Sequence, residues 1–203
     1  MTKIKICGLY RKVDIDYVNQ AMPDYAGFIL DFPKSHRNLT PPEAAALRCA
    51  LAPGIRAVGV FVDRSVEDVL AAAKTVGLDV IQLHGHEDDA FIAALREKTD
   101  LAIWKAFKIR SAADLEAARR SAADEVLLDN GYGTGAAFDW SLAADFDRPF
   151  LLAGGLTPEN IPEAIRTMHP KLVDISSGVE TEKIKDREKI LAAVRAVRQA
   201  ERK

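Results

Sequence analysis

Four short stretches of this chain carry residue types that can move protons or hold an anion. Cys7 closes the run Lys3–Cys7, in which charged and apolar residues alternate, and Gly8 follows it. A thiol there has the chemistry of a nucleophile or of a proton-transfer base. Free thiols titrate near ~8.5, so a modest shift poises one for base work at neutral pH. As a residue type, cysteine is equally a small core filler. Asp129 closes the apolar run Val126-Leu127-Leu128. A carboxylate partly desolvated behind such a run has a raised pKa and can serve as a general acid; a helix cap or loop ion pair is the plainer role. Gly154-Gly155 ends the apolar run Phe150–Ala153, and Ser176-Ser177-Gly178 ends Leu172–Ile175. Glycine lets backbone come close to a ligand, and free N–H groups there can hold an anion. Two such turns one unit apart point to a phosphate; two turns that merely reverse the chain are the alternative.

Other residues give weaker signals. Arg37 lies in a polar loop and could pair bidentately with a substrate carboxylate, or simply be solvated. Gln82 and His84 are candidates for orienting a substrate. His36, His86 and His169 read as loop or surface residues, and Cys49, with apolar neighbours at helical spacing, as structural. The four histidines are scattered without ligand spacing, so no metal site is expected. The glycine-rich stretch 130–137 reads as a lid or as a plain loop.

The elements that must position these residues alternate strictly. Strand patterns cover Lys3–Cys7, Tyr25–Leu30, 55–62, 79–83, 101–107, 125–128, Phe150–Ala153 and Leu172–Ile175. Helical spacing follows each: 13–22; one capped by Thr40 running to Leu51; one capped by Ser65 running to Val76; 87–97; 115–120, capped by Ser111; a short piece at 140–144; 158–168, with Thr157 as N-cap and Pro158 at its first position; and 186–199. Eight β-α units of roughly 25 residues imply a parallel sheet closed into a (β/α)8 TIM barrel of the α/β class. An open dinucleotide-binding sheet would carry a glycine fingerprint after its first strand, and Cys7-Gly8-Leu9-Tyr10 lacks it. In a closed barrel the site lies at the C-terminal ends of the strands, which is where Cys7, Gln82, His84, Asp129 and both turns fall. With two phosphate-type turns on that rim, Cys7 and Asp129 become a base and an acid on either side of a bound sugar phosphate, the arrangement of an isomerisation.

Composition sets the outer bounds. The chain has 203 residues, 48% of them hydrophobic, a formal net charge of −2 and a pI near 6.1. That suits one domain, residues 1–203, with a real core. Without a basic excess a nucleic-acid partner is not expected, and no apolar run approaches a membrane span. A cytoplasmic protein is expected, with two unpaired cysteines.

Six segments together resemble one family. They are Lys5-Ile6-Cys7-Gly8, Gln82-Leu83-His84-Gly85, Leu127-Leu128-Asp129, Phe138-Asp139-Trp140, Gly154-Gly155-Leu156-Thr157-Pro158-Glu159-Asn160 and Asp174-Ile175-Ser176-Ser177-Gly178-Val179-Glu180. In this order and spacing they resemble the phosphoribosylanthranilate isomerases of tryptophan biosynthesis. The resemblance implies a cofactor-free Amadori rearrangement of N-(5-phosphoribosyl)anthranilate to 1-(2-carboxyphenylamino)-1-deoxyribulose 5-phosphate. It implies Cys7 as general base, Asp129 as general acid, and Arg37, in Ser35-His36-Arg37, on the anthranilate carboxylate. Substrate binding then falls to Arg37, Gln82, Gly154, Gly155, Ser176, Ser177 and Gly178, in a monomer or homodimer. The chain departs from the family at Tyr10, where a small residue is usual, in the loop before Arg37, in the short stretch after Asp129 and in the absence of Pro-Gly after Glu180. The competing readings are the related sugar-phosphate isomerase of histidine biosynthesis, associated with an aspartate pair, and a non-catalytic sugar-phosphate-binding barrel.

Overall fold

A computed structural model describes residues 1–129 and 146–200. The expected loop at 130–137 and helical piece at 140–144 lie outside the described residues. Chain order is β1 (Lys3–Cys7), α1 (Lys12–Ala21), β2 (Tyr25–Leu30), β3 (Asn38–Leu39), α2 (Pro41–Cys49), β4 (Arg56–Phe61), α3 (Val66–Val76), β5 (Val80–Leu83), α4 (Asp89–Arg96), β6 (Ala102–Lys108), α5 (Ala112–Arg120), β7 (Glu125–Asp129), β8 (Phe150–Ala153), α6 (Ile161–Met168), β9 (Leu172–Ile175), β10 (Glu180–Thr181), β11 (Ile184–Lys185) and α7 (Arg187–Ala200). Eight strands, β1, β2 and β4 to β9, pair in parallel and close through β1, which meets β2 on one side and β9 on the other. The expected (β/α)8 barrel is present.

Strand alternation divides the apolar residues between two faces. Inward-facing Tyr25, Val58, Val80, Trp104, Ala106, Leu127, Leu151 and Leu172 fill the barrel. Outward-facing Ile4, Ile6, Phe28, Phe61, Ile81, Ile103 and Leu128 pack under the helices, with Ile15, Val69, Ile92 and Val194 coming from the helix side. The helix starts follow capping chemistry. Ser65 and Ser111 accept backbone N–H bonds from Asp68 and Asp114, and Thr40 forms a capping box with Glu43.

Three features depart from the sequence reading. Helix α6 begins at Ile161 with Asn160 as its cap, three residues beyond the expected Thr157-Pro158 start. Cys49 ends α2 exposed to solvent, so it is no core residue. Short strands that no periodicity could reveal are also present: β3, which extends β2 at Ile29 and Leu30, and the antiparallel hairpin of β10 and β11.

Candidate active site

Because side chains alternate along β1, Lys5 and Cys7 both point into the barrel near its C-terminal end. Lys5 is fully buried, and its Nζ donates to Asp174 Oδ2 at 2.7 Å across the β1–β9 seam, where the two residues are register partners. Gly27 faces Cys7 from β2. A Cβ built on Gly27 would stand 2.8 Å from Lys5 Cε and 2.9 Å from Cys7 Sγ, so the lysine stem and the thiol fill the space that glycine leaves. Cys7 itself is only 8% exposed. Burial pushes its thiol above the ordinary range, helped by Asp174 and opposed by Lys5 and Lys185. The shift therefore runs away from neutrality, because desolvation of the thiolate outweighs the nearby cations. Burial works against the Lys5 ammonium, yet Asp174 and Cys7 hold its pKa above the usual lysine value.

Asp129 ends β7 with its side chain 17% exposed, and its Oδ2 lies 3.3 Å from His84 Nε2. Gln82, inward-facing and buried on β5, lies beneath: its Nε2 is 3.2 Å from His84 Nδ1. With Gln82 donating to Nδ1, the imidazole carries its proton on Nε2 and donates to Asp129. His84 thus bridges Gln82 and Asp129. Gln82 Oε1 is buried without a hydrogen-bond partner among the described residues.

The two small-residue turns meet on the same rim. Gly154 and Gly155 have φ of 87° and 65°, left-handed values open to glycine. The Asn160 side chain closes this turn, accepting from Thr157 N at 2.8 Å and donating to Gly155 O at 3.0 Å. Tied back in this way, residues 158–160 form a turn, which is why α6 starts late. The second turn runs from Ser176 into a single 3-10 turn, Ser177–Val179. A Cβ on Gly178 would lie 1.9 Å from Leu156 O, so the turns touch at a point that admits no side chain. Ser176 Oγ donates to Cys7 O at 3.1 Å, tying this rim to β1.

Arg37 is held beside Cys7 by β3, which begins at the next residue and pairs with β2. Its Nε and Nη2 donate to Glu180 Oε1 and Oε2, each at 2.6 Å. Glu180 Oε1 also accepts from Lys185 Nζ at 2.7 Å, and the same ammonium donates to Ser176 O at 2.9 Å. Burial works against the Glu180 carboxylate, but Arg37 and Lys185 hold it below the usual range. Burial pushes Lys185 below the usual lysine range despite Glu180.

Of the residues singled out in the sequence, the structure brings together Cys7, Arg37 and the Ser176–Gly178 turn, sets Gly178 against Leu156 and Thr157 of the turn that follows Gly154-Gly155, and puts Asp129 with His84 and Gln82 on strands three away from β1 around the ring. The sequence reading missed Lys5, Asp174, Asn160, Glu180 and Lys185 as parts of the site. His36, His86 and His169 are exposed as expected. Another concavity, lined by Lys3, Arg56, Trp104 and Lys171, lies toward the opposite end of the barrel, away from these groups.

Residues 4–196 match the family model described as N-(5'-phosphoribosyl)anthranilate isomerase. The chain belongs to this isomerase family. A relative of that name from Acetivibrio thermocellus is 43% identical, covering 99% of this chain and 98% of its own length. The phosphoribosyl anthranilate isomerase of Thermotoga maritima superposes with a TM-score of 0.88 at 34% identity, covering 98% of this chain and all of its own. A phosphoribosyl anthranilate isomerase crystallised with reduced 1-(o-carboxyphenylamino)-1-deoxyribulose 5-phosphate gives 0.86 at 33% identity, over 98% of this chain and 100% of its own. Membership in the isomerase family spans the whole barrel, and each element that carries the rim lies inside the matched residues. Among the described residues, no helix is long and apolar enough to cross a membrane.

Proposed function

We infer that the chain converts N-(5-phosphoribosyl)anthranilate to 1-(2-carboxyphenylamino)-1-deoxyribulose 5-phosphate, a step of tryptophan biosynthesis, by general acid–base catalysis without a cofactor. The observation that carries this is the meeting of Cys7 with two anion-accepting turns on one rim of a barrel of this family, Ser176 bonding directly to the Cys7 carbonyl.

The chemistry follows from the groups present. Asp129, protonated, gives its proton to the ring oxygen, and the C1′–O bond breaks to leave a protonated imine. His84 donates to the carboxylate that remains. The cationic imine acidifies C2′–H, and the Cys7 thiolate removes that proton. The enolamine then tautomerises to the C2′ ketone. A raised thiol pKa leaves less thiolate at neutral pH but makes each thiolate a stronger base. The backbone around Gly155 and Ser176 to Gly178 holds the phosphate, and Arg37 the anthranilate carboxylate, so the open-chain intermediate stays anchored at both ends. Gln82 supports the acid through His84. The working unit is a single-domain monomer or homodimer acting in the cytoplasm, since each group named comes from one chain.

The test is turnover of freshly generated phosphoribosylanthranilate, followed by loss of its fluorescence, for wild type, Cys7→Ser and Asp129→Asn. Rapid loss with wild type and about a hundredfold slowing in each variant is expected. Binding without conversion by wild type would sink the isomerase reading in favour of the non-catalytic barrel.

A further inference from the structure

The charged cluster of Arg37 with Glu180 and Lys185 of the β10–β11 hairpin gives or takes no proton in the proposed reaction, although Lys185 acts on the Cys7 thiol electrostatically. Arg37 offers five N–H groups in a planar fork. Glu180 takes the side-on pair, Nε and Nη2, with two 2.6 Å bonds. That leaves the end-on edge, the two Nη1 protons and the second Nη2 proton, with no partner among the described residues. The stem is fixed as well: Arg37 Cδ would lie 2.4 Å from a Cβ on Gly8, so the side chain lies flat over the residue that follows Cys7. The guanidinium is close enough to Cys7 and Tyr10 for both to act on it electrostatically. Two basic groups, Arg37 and Lys185, share the one Glu180 carboxylate, and the arginine and glutamate side chains are 17% and 5% exposed. A buried set with more basic than acidic members is completed by an incoming anion.

We propose that Glu180 is a specificity-determining positioning residue: by gripping Arg37 side-on, with Lys185 behind it, it aims the end-on edge of the guanidinium at the aryl carboxylate of the substrate. This rests on the activity inferred above. Glu180 does not touch the substrate. It removes the rotamer freedom of a long side chain before binding, so the fork meets the carboxylate already oriented. Lys185 also fixes the Ser176 carbonyl, so the grip on the carboxylate end and the turn that faces the phosphate share one anchor.

The experiment compares two substrates made from ribose 5-phosphate, the adduct with anthranilate and the adduct with aniline, which lacks the carboxylate. Wild type, Glu180→Gln, Arg37→Lys and the double variant are assayed by chromatographic separation of the products. Glu180→Gln is expected to raise KM for the anthranilate adduct about tenfold or more, with a smaller change in kcat, the loss expected for a weakened charge-assisted contact. Its loss on the aniline adduct should be about fivefold smaller or less. Arg37→Lys should show the same selectivity, and the double variant should lose little beyond the larger single effect. Equal losses on both substrates, or none on either, overturn the proposal while leaving the activity intact. A wild type that converts neither adduct overturns the activity and this proposal with it. Should Glu180→Gln fail to fold, Glu180→Asp keeps the charge but draws the carboxylate back by one methylene. It must show the same carboxylate-selective loss, and an equal loss on both substrates counts against the proposal.

Discussion

Cys7 shows how one residue can be legible in kind and misread in degree. Its type, its place before Gly8 and its strand end are all written in the sequence, but the burial that raises its pKa comes from segments distant in the chain, Gly27 of β2 among them. The sign of the consequence is definite. Proton abstraction needs the thiolate and ring opening needs protonated Asp129, so kcat/KM should be bell-shaped in pH, with its alkaline limb falling through the Cys7 midpoint, which should lie above the ~8.5 of a free thiol. Alkylation by iodoacetamide gives an independent reading. In a Cys49→Ser background, which removes the exposed thiol, the rate of Cys7 modification should rise with pH through the same high midpoint. A midpoint at or below that of free cysteine would mean that Lys5 and Lys185 outweigh desolvation. Lys5 was open to discovery by the same alternation that turned Cys7 inward, since two residues apart on a strand means one face. Only the structure shows Asp174 waiting across the seam.

Among the elements, the regular ones were readable because each repeats a period, and the irregular ones were not because they are too short to have one. Strand β3 has two residues, as do β10 and β11, yet these place Arg37, Glu180 and Lys185. The late start of α6 has a different cause. Thr157-Pro158 carries the local signature of a helix start, but the Asn160 side chain bonds back to residues 155 and 157 and converts that start into a turn. The Asn160 side chain therefore serves the turn, and the helix takes its start from the next residue. Asn160→Ala should cost about 1 kcal/mol of stability, because its two side-chain bonds to Thr157 N and Gly155 O are lost. It should also loosen the Gly154-Gly155 turn, raising KM for the phosphorylated substrate and weakening competitive inhibition by inorganic phosphate. Chemical denaturation and inhibition assays measure the two effects separately. A stability loss with no change in phosphate inhibition would confine Asn160 to bracing the turn, with no bearing on phosphate binding.

At the level of the whole barrel, the question is what closes it. Strand β1 is the seam, joined to β2 through Cys7 and Gly27 and to β9 through Lys5 and Asp174. An ion pair buried at such a seam need not add net stability, because taking both charges out of water costs about as much as their attraction returns. Its members are nonetheless interdependent. Lys5→Met would leave Asp174 buried without its cation, with one carboxylate oxygen, Oδ1, already lacking a hydrogen-bond partner among the described residues. That single change should cost about 3–5 kcal/mol, whereas Lys5→Met combined with Asp174→Leu, which removes both charges and fills the space with apolar atoms, should restore most of the loss. Urea denaturation of wild type, single and double variants measures this directly. Recovery in the double variant would show that closure needs only a filled interior, so that the charges are kept for their action on Cys7 rather than for the fold. That double variant should then fold well and still lose activity, because the cation opposing the desolvation of the Cys7 thiolate has gone. If the double variant is as unstable as the single one, the ion pair itself is what holds β1 against β9.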